Sequence, residues 1–113
     1  MRKYEIIAVD FDGTLCSDCY PDIGKPNLPL IELLKALKRE GCRIVLWTCR
    51  CGRKLEQAVQ WCEEFGLEFD KVNRNTDEIL EKYGSDSRKI YADVYIDDKA
   101  CFPWEVMAYK KEE

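Results

Sequence analysis

Histidine is missing altogether from the 113 residues. A zinc site would have to be built from thiolates alone, with Cys16 and Cys19 (CxxC) and Cys49 and Cys51 (CxC) as the four donors. No apolar stretch approaches the roughly 18 residues that a membrane-spanning helix needs. With 35% charged residues, the composition is that of a soluble chain without a membrane partner. The N-terminal Met1-Arg2-Lys3-Tyr4-Glu5 leads into a short apolar run that lacks a small-residue cleavage site. A secretory leader is therefore not expected, and the cytoplasm is the default location. Linkers, internal repeats and low-complexity tracts are absent as well, and the length suits one domain, 1–113, around one core. Basic residues are scattered and the net charge is −4, which disfavours nucleic acid as a partner.

Cysteine, by contrast, is plentiful: seven residues, an odd number. Without an export signal, reduced thiols are expected rather than disulfides. The CxxC follows an apolar strand, so redox sensitivity stands as the lesser reading.

The hydrophobic pattern alternates. Short apolar runs at 4–9, 43–47, 69–72 and 91–96 read as strands. Between them, helical spacing covers about 30–40, 54–65 and 77–83, with Gly41 and Gly66 as stops, and 104–109 reads as a last helical turn or two. Strands alternating with helices predict a parallel sheet with right-handed crossovers. This is a Rossmann-like, doubly wound α/β domain of three layers, α/β/α. Trp47 and Trp61 are expected in its core. In such sheets ligands bind beyond the carboxyl ends of the strands. The first strand ends in Asp10 and Asp12, the second in Thr48, and the fourth in Asp97 and Asp98.

Four carboxylates on one rim call for a cation, and an all-oxygen donor set favours a hard one such as Mg²⁺. Lys89, just before the fourth strand, adds a positive charge, and Thr48 adds a hydroxyl. Carboxylate nucleophile, metal, lysine and hydroxyl together make a site for a phosphoryl group, where positioning and charge neutralisation supply most of the catalysis.

Asp10-Phe11-Asp12-Gly13-Thr14-Leu15 after an apolar strand resembles the first motif of the haloacid dehalogenase (HAD) superfamily. Thr48 ending RIVLW resembles its second motif, Lys89 its third, and Asp97-Asp98 after VYI its paired-aspartate fourth. The resemblance implies a HAD-like fold and a phosphatase acting on phosphate monoesters through an aspartyl-phosphate. It makes Asp10 the nucleophile and Asp12 the general acid and then base. It implies that Mg²⁺ is held by the Asp10 side chain, the Asp12 carbonyl and Asp98, with Asp97 behind, although the last two could exchange parts. Thr48 and Lys89 would hold the phosphoryl oxygens; Lys99, after the strand, competes with Lys89 but reads as solvated. Asp12 argues for phosphoryl transfer, since the family's dehalogenases lack that second aspartate.

Outside the motifs, Arg50 is the leading substrate contact, able to reach a second anionic group, with a surface ion pair as its bland alternative. Asn73 and Asn75 could face a leaving group, although turn formation suits them better. No insertion is long enough for a cap domain. The site should therefore be open to a phosphorylated macromolecule, or to a small molecule if a second copy of the chain covers it. Residues 16–29 could make a small flap with Tyr20 as a contact. The competing reading is a phospho-acceptor or binding module like a bacterial receiver domain. Receivers, however, carry the acceptor on the third strand, where this chain has Asp70 and Asn73.

Overall fold

Four short runs of apolar residues assemble the sheet in the structure, a computed structural model that describes residues 5–101 and 103. They are β1 (Ile6–Val9), β2 (Arg43–Leu46), β3 (Lys71–Val72) and β4 (Val94–Ile96). All pairings are parallel and the order is β3-β2-β1-β4, consistent with a Rossmann-like sheet. Three helices connect them: α1 (Leu28–Arg39), α2 (Gly52–Glu64) and α3 (Asp77–Tyr83). Tyr4, the helical turn expected at 104–109 and the charged tail lie outside the described residues. No helix among the described residues is long and apolar enough to cross a membrane.

The period of two along each strand divides the core between the sheet faces. Ile7, Val9, Ile44 and Leu46 meet Ile31 and Leu34 of α1 and Ala58 and Cys62 of α2. Ile6 and Val45 face the other way, onto Ile79 of α3 and Ile90. Every residue of β1 is buried, as expected for the inner strand of a parallel sheet covered on both sides. Trp47 and Trp61 pack, partly buried, against the core as the pattern predicts: Trp61 sets its edge against Phe11 at 5.5 Å, and Trp47 lies 5.6 Å from Tyr95.

Where the boundaries depart from the sequence pattern, a polar side chain or a proline explains it. Helix α1 starts two residues before the expected 30. Pro29 is accommodated in the first turn, where no backbone donor is needed, and Asn27 caps that turn by accepting from the Leu30 N–H. Strand β3 has two residues rather than four, because the Asp70 carboxylate takes the Ile44 N–H at 2.7 Å and the Lys38 ammonium at 3.0 Å. Strand β4 begins at Val94 rather than 91. The Asp93 carboxylate accepts the N–H groups of Glu5 and Ile6 at 2.9 and 2.8 Å, in the place of ladder bonds.

Asn75 is the most consequential of these polar staples. Fully buried, it accepts the Tyr91 N–H at 2.7 Å and donates to the Asp86 carboxylate at 2.8 Å, fixing the 84–91 segment against the end of β3. Replacing Asn75→Ala should cost about 2 kcal/mol, the penalty for stranding buried hydrogen-bond partners. Urea unfolding of the two proteins reads this directly as a lower midpoint at unchanged slope.

Candidate functional site

The rim of the sheet is built by tight local hydrogen bonding. Asp10 leaves β1 with its N–H on the Ile96 carbonyl at 3.0 Å, so the ends of β1 and β4 stay in step. Phe11 then plunges into the core, and its carbonyl accepts from the N–H groups of Thr14 and Leu15 at 3.2 and 2.9 Å, closing a turn. Gly13 is required in that turn: its φ is +81°, and a Cβ there would stand 2.3 Å from Asp98 Oδ2. Thr14 Oγ1 accepts the Asp98 N–H at 3.1 Å. The loops after β1 and β4 are thereby clamped face to face.

One consequence is a carboxylate cluster. Asp10, Asp97 and Asp98 each present an oxygen within 4.8 Å of the others. Burial pushes Asp10 up to about 6; the charges of Asp97, Asp98 and Asp12 add to this, against the Phe11 N–H. Asp98 is desolvated too, yet its hydrogen bond from Lys99 holds it below the usual carboxylate value. The Lys99 ammonium lies 3.2 Å from Asp98 Oδ2. The donor set is all oxygen and strongly anionic, which fits a hard divalent cation.

Asp12 stands apart from this trio. Arg50 grips it with a two-point fork, Nε to Oδ2 and Nη2 to Oδ1, both at 2.8 Å. The Arg50 side chain is only 1% exposed. Its guanidinium lies between the rings of Phe11 and Tyr20, 5.0 Å from each centroid, and also donates to the carbonyls of Asp22 and Lys54. Neither sequence expectation for Arg50 describes this. It is a buried clamp on Asp12, not a guanidinium open to a substrate and not a surface ion pair. The loop expected as a flap ends at Asn27, where α1 begins; Ser17 and Lys25 pair at its base, and Tyr20 and Asp22 contact Arg50.

Thr48 follows β2 and is held at both ends. Its N–H donates to Asn73 Oδ1 at 2.8 Å, and its hydroxyl accepts the Arg50 N–H at 3.2 Å. Asn73 adopts a left-handed φ of 55°, so turn formation is what it does here. Lys89 puts its ammonium over the Tyr95 ring, 5.6 Å from the centroid. The lysine that meets the acidic cluster is Lys99, which the sequence pattern left as solvated; its adjacency to the Asp97-Asp98 turn was the available signal. Cys16, Cys19, Cys49, Cys51 and Cys62 are free thiols, and Cys16, Cys42 and Cys62 are buried. Burial drives Cys62 up to about 12, which makes it inert. Among the described residues, the trio of metal-ligating side chains that converges is acidic, not thiolate.

No protein-family model matches the chain, and neither does any curated protein. A solved structure does, described as that of a conserved protein coded by a locus of Bacteroides thetaiotaomicron. It is 39% identical, with 96% of this chain and 91% of that chain covered and a TM-score of 0.75. The chain belongs to that protein's family.

Three expectations follow from the geometry. Asp10 has a folded value near 6 against an ordinary 3.8, so the folded chain binds its proton more tightly than the unfolded chain does. Asp10 should therefore contribute stability to the metal-free protein as pH falls from about 7 to 4, opposing the loss from the lowered carboxyls of Glu78, Asp86 and Asp98, and the difference between wild type and Asp10→Asn isolates its share. Affinity for a divalent cation held by this trio should run the other way, weakening about tenfold between pH 7 and 5 as protons compete for Asp10. Chemical unfolding and titration calorimetry at stepped pH measure the two. Arg50→Ala strands Asp12 and opens the core beside Phe11; a loss of about 3 kcal/mol is expected in urea unfolding.

Proposed function

We propose that the chain is a Mg²⁺-dependent phosphohydrolase of HAD-like architecture without a cap domain, cleaving phosphate monoesters through an aspartyl-phosphate on Asp10. The observation that carries this reading is the convergence of Asp10, Asp97 and Asp98 at the carboxyl edge of β1 and β4. The sheet order supports it, because ligands of such sheets gather at that edge. Asp10, Asp98 and the Asp12 carbonyl would hold the ion, with Asp97 behind them. Once bound, Mg²⁺ offsets the carboxylates and stabilises charge on the phosphoryl oxygens.

In the first step, an Asp10 carboxylate oxygen attacks phosphorus and the bond to the ester oxygen breaks. The departing oxygen takes a proton from Asp12. In the second, Asp12 accepts a proton from water, the water oxygen attacks phosphorus, and phosphate leaves with the Asp10 carboxylate restored. Arg50 constrains how Asp12 can do this. Guanidinium only donates hydrogen bonds and engages both Asp12 oxygens, so a proton on Asp12 must sit on a lone pair directed away from Arg50. Arg50 is accordingly a positioning residue, and the proton passes on the face of Asp12 that Arg50 leaves free. Thr48 is assigned to a phosphoryl oxygen. The positive charge beside Asp10 is assigned to Lys99, whose ammonium is on Asp98, with Lys89 as the second candidate.

Hydrolysis of p-nitrophenyl phosphate tests the reading. Turnover should require Mg²⁺, vanish with EDTA, and fall at least about a hundredfold in Asp10→Asn and in Asp12→Asn. Lys99→Met should lower turnover more than Lys89→Met; the reverse order would return the charge-neutralising part to Lys89. A folded, Mg²⁺-binding wild type with no turnover on this or any screened monoester overturns the hydrolase reading in favour of a phospho-acceptor or binding role.

A further inference from the structure

On the sheet face that carries α3 lies a cavity of about 470 Å³, within the range of small-molecule sites. Its walls come from the end of α3, the segment after it and β4, and none of Asp10, Asp12, Asp97 or Asp98 lines it. Three tyrosines dominate it: Tyr83, Tyr91 and Tyr95. Tyr83 and Tyr91 are 59% and 42% exposed, two of the few large apolar groups left facing water, and their rings are 6.4 Å apart at 37°. Lys89 also lines the cavity, with its ammonium over the Tyr95 ring. A second ammonium, that of Lys82, lies 5.3 Å from the centre of Tyr83. Among the described residues, neither lysine has a carboxylate within ion-pair distance. Ser85 adds a hydroxyl that no described residue engages.

These walls are fixed in place. Gly84 ends α3 in a left-handed turn with its N–H on the Leu80 carbonyl. Buried Asn75 then ties Asp86 and Tyr91. The Tyr95 hydroxyl donates to the Ile90 carbonyl and accepts from the Ala92 N–H. Exposed aromatic faces beside uncompensated cations, on a rigid frame, are complementary to one kind of occupant. A planar ring would cover the tyrosines, and an attached anion would meet the lysines and the serine hydroxyl.

We infer that this cavity is a second binding site, distinct from the acidic rim, for a small planar aromatic anion of nucleotide size. The inference does not rest on the phosphohydrolase reading, because it concerns binding in the absence of metal. The test is a heteronuclear NMR titration of the full chain in EDTA with adenosine 5′-monophosphate, with adenosine and inorganic phosphate as the two halves of the probe. Saturable shifts at the amides of Ser85, Ser87, Lys89 and Tyr91 are expected, strongest for the monophosphate. Lys89→Gln should weaken the monophosphate about fivefold or more while sparing adenosine, and Tyr91→Ala should weaken both. Shifts confined to the Asp10 and Asp98 loops would overturn the inference, as would a Lys89→Gln protein of unchanged affinity. So would concentration-dependent shifts of the same amides without ligand, which would show that a second copy of the chain covers the cavity.

Discussion

Like-charge repulsion at the rim of the sheet is the constraint that the surrounding structure answers. Three carboxylates with oxygens inside 4.8 Å of one another would separate if their backbones were free to move. They are not free. Asp10 is bonded through its N–H to Ile96, and Asp98 through its N–H to Thr14. Gly13 leaves the space that the Asp98 carboxylate fills. The turn that closes over the Phe11 carbonyl is thus less a connection than a clamp, and its anchor is a wholly buried ring. The hydrophobic core pins Phe11; Phe11 pins the turn; the turn keeps the acids together.

Arg50 performs the same service for the fourth carboxylate, and more widely. A buried guanidinium must find acceptors for its donors, and this one finds them on three separate segments: Asp12 after β1, Asp22 in the flap, and Lys54 in the first turn of α2. The Phe11 and Tyr20 rings close over its two faces. The flap is thus tied to Arg50 as well as to the core, where Cys16 is buried and Ile23 packs, and to its own Ser17–Lys25 pairing. Movement of the flap and freedom of Asp12 are consequently linked through one side chain.

How much of this could be read in the sequence depends on the range of the interaction concerned. The alternation of apolar runs with helical spacing carries the element order, since period 2 and period 3.6 are local properties of β1, α1 and α2. The rule that ligands gather at strand ends carried Asp10, Asp97 and Asp98 to one rim without any knowledge of contacts. What stayed illegible was what side chains do at a distance. Asp70, Asp93 and Asn75 trim β3 and β4 by taking backbone donors, and composition does not announce which Asx residue will do so. The Arg50–Asp12 fork joins residues 38 apart, and nothing local marks an arginine in WTCRCGR as buried. Lys99 is solvated as its position after the strand implies, yet its ammonium also reaches its neighbour Asp98, a contact that only the turn geometry decides.

The charges at the rim then set a condition on what could complete it. Four carboxylates, those of Asp10, Asp12, Asp97 and Asp98, face two cations, Arg50 on Asp12 and Lys99 on Asp98. Two negative charges are left over, and they add to the burial that already pushes Asp10 up to about 6. A proton on Asp10 removes one of them, but a protonated Asp10 could not serve as the nucleophile proposed above. A divalent ion removes both and leaves Asp10 ionised, which supports the choice of Mg²⁺ over a monovalent cation or a bare acid cluster. On this view the mismatch between acids and bases at the rim is functional. Supplying one more lysine to balance it would give a calmer fold and would leave no reason for a metal to enter.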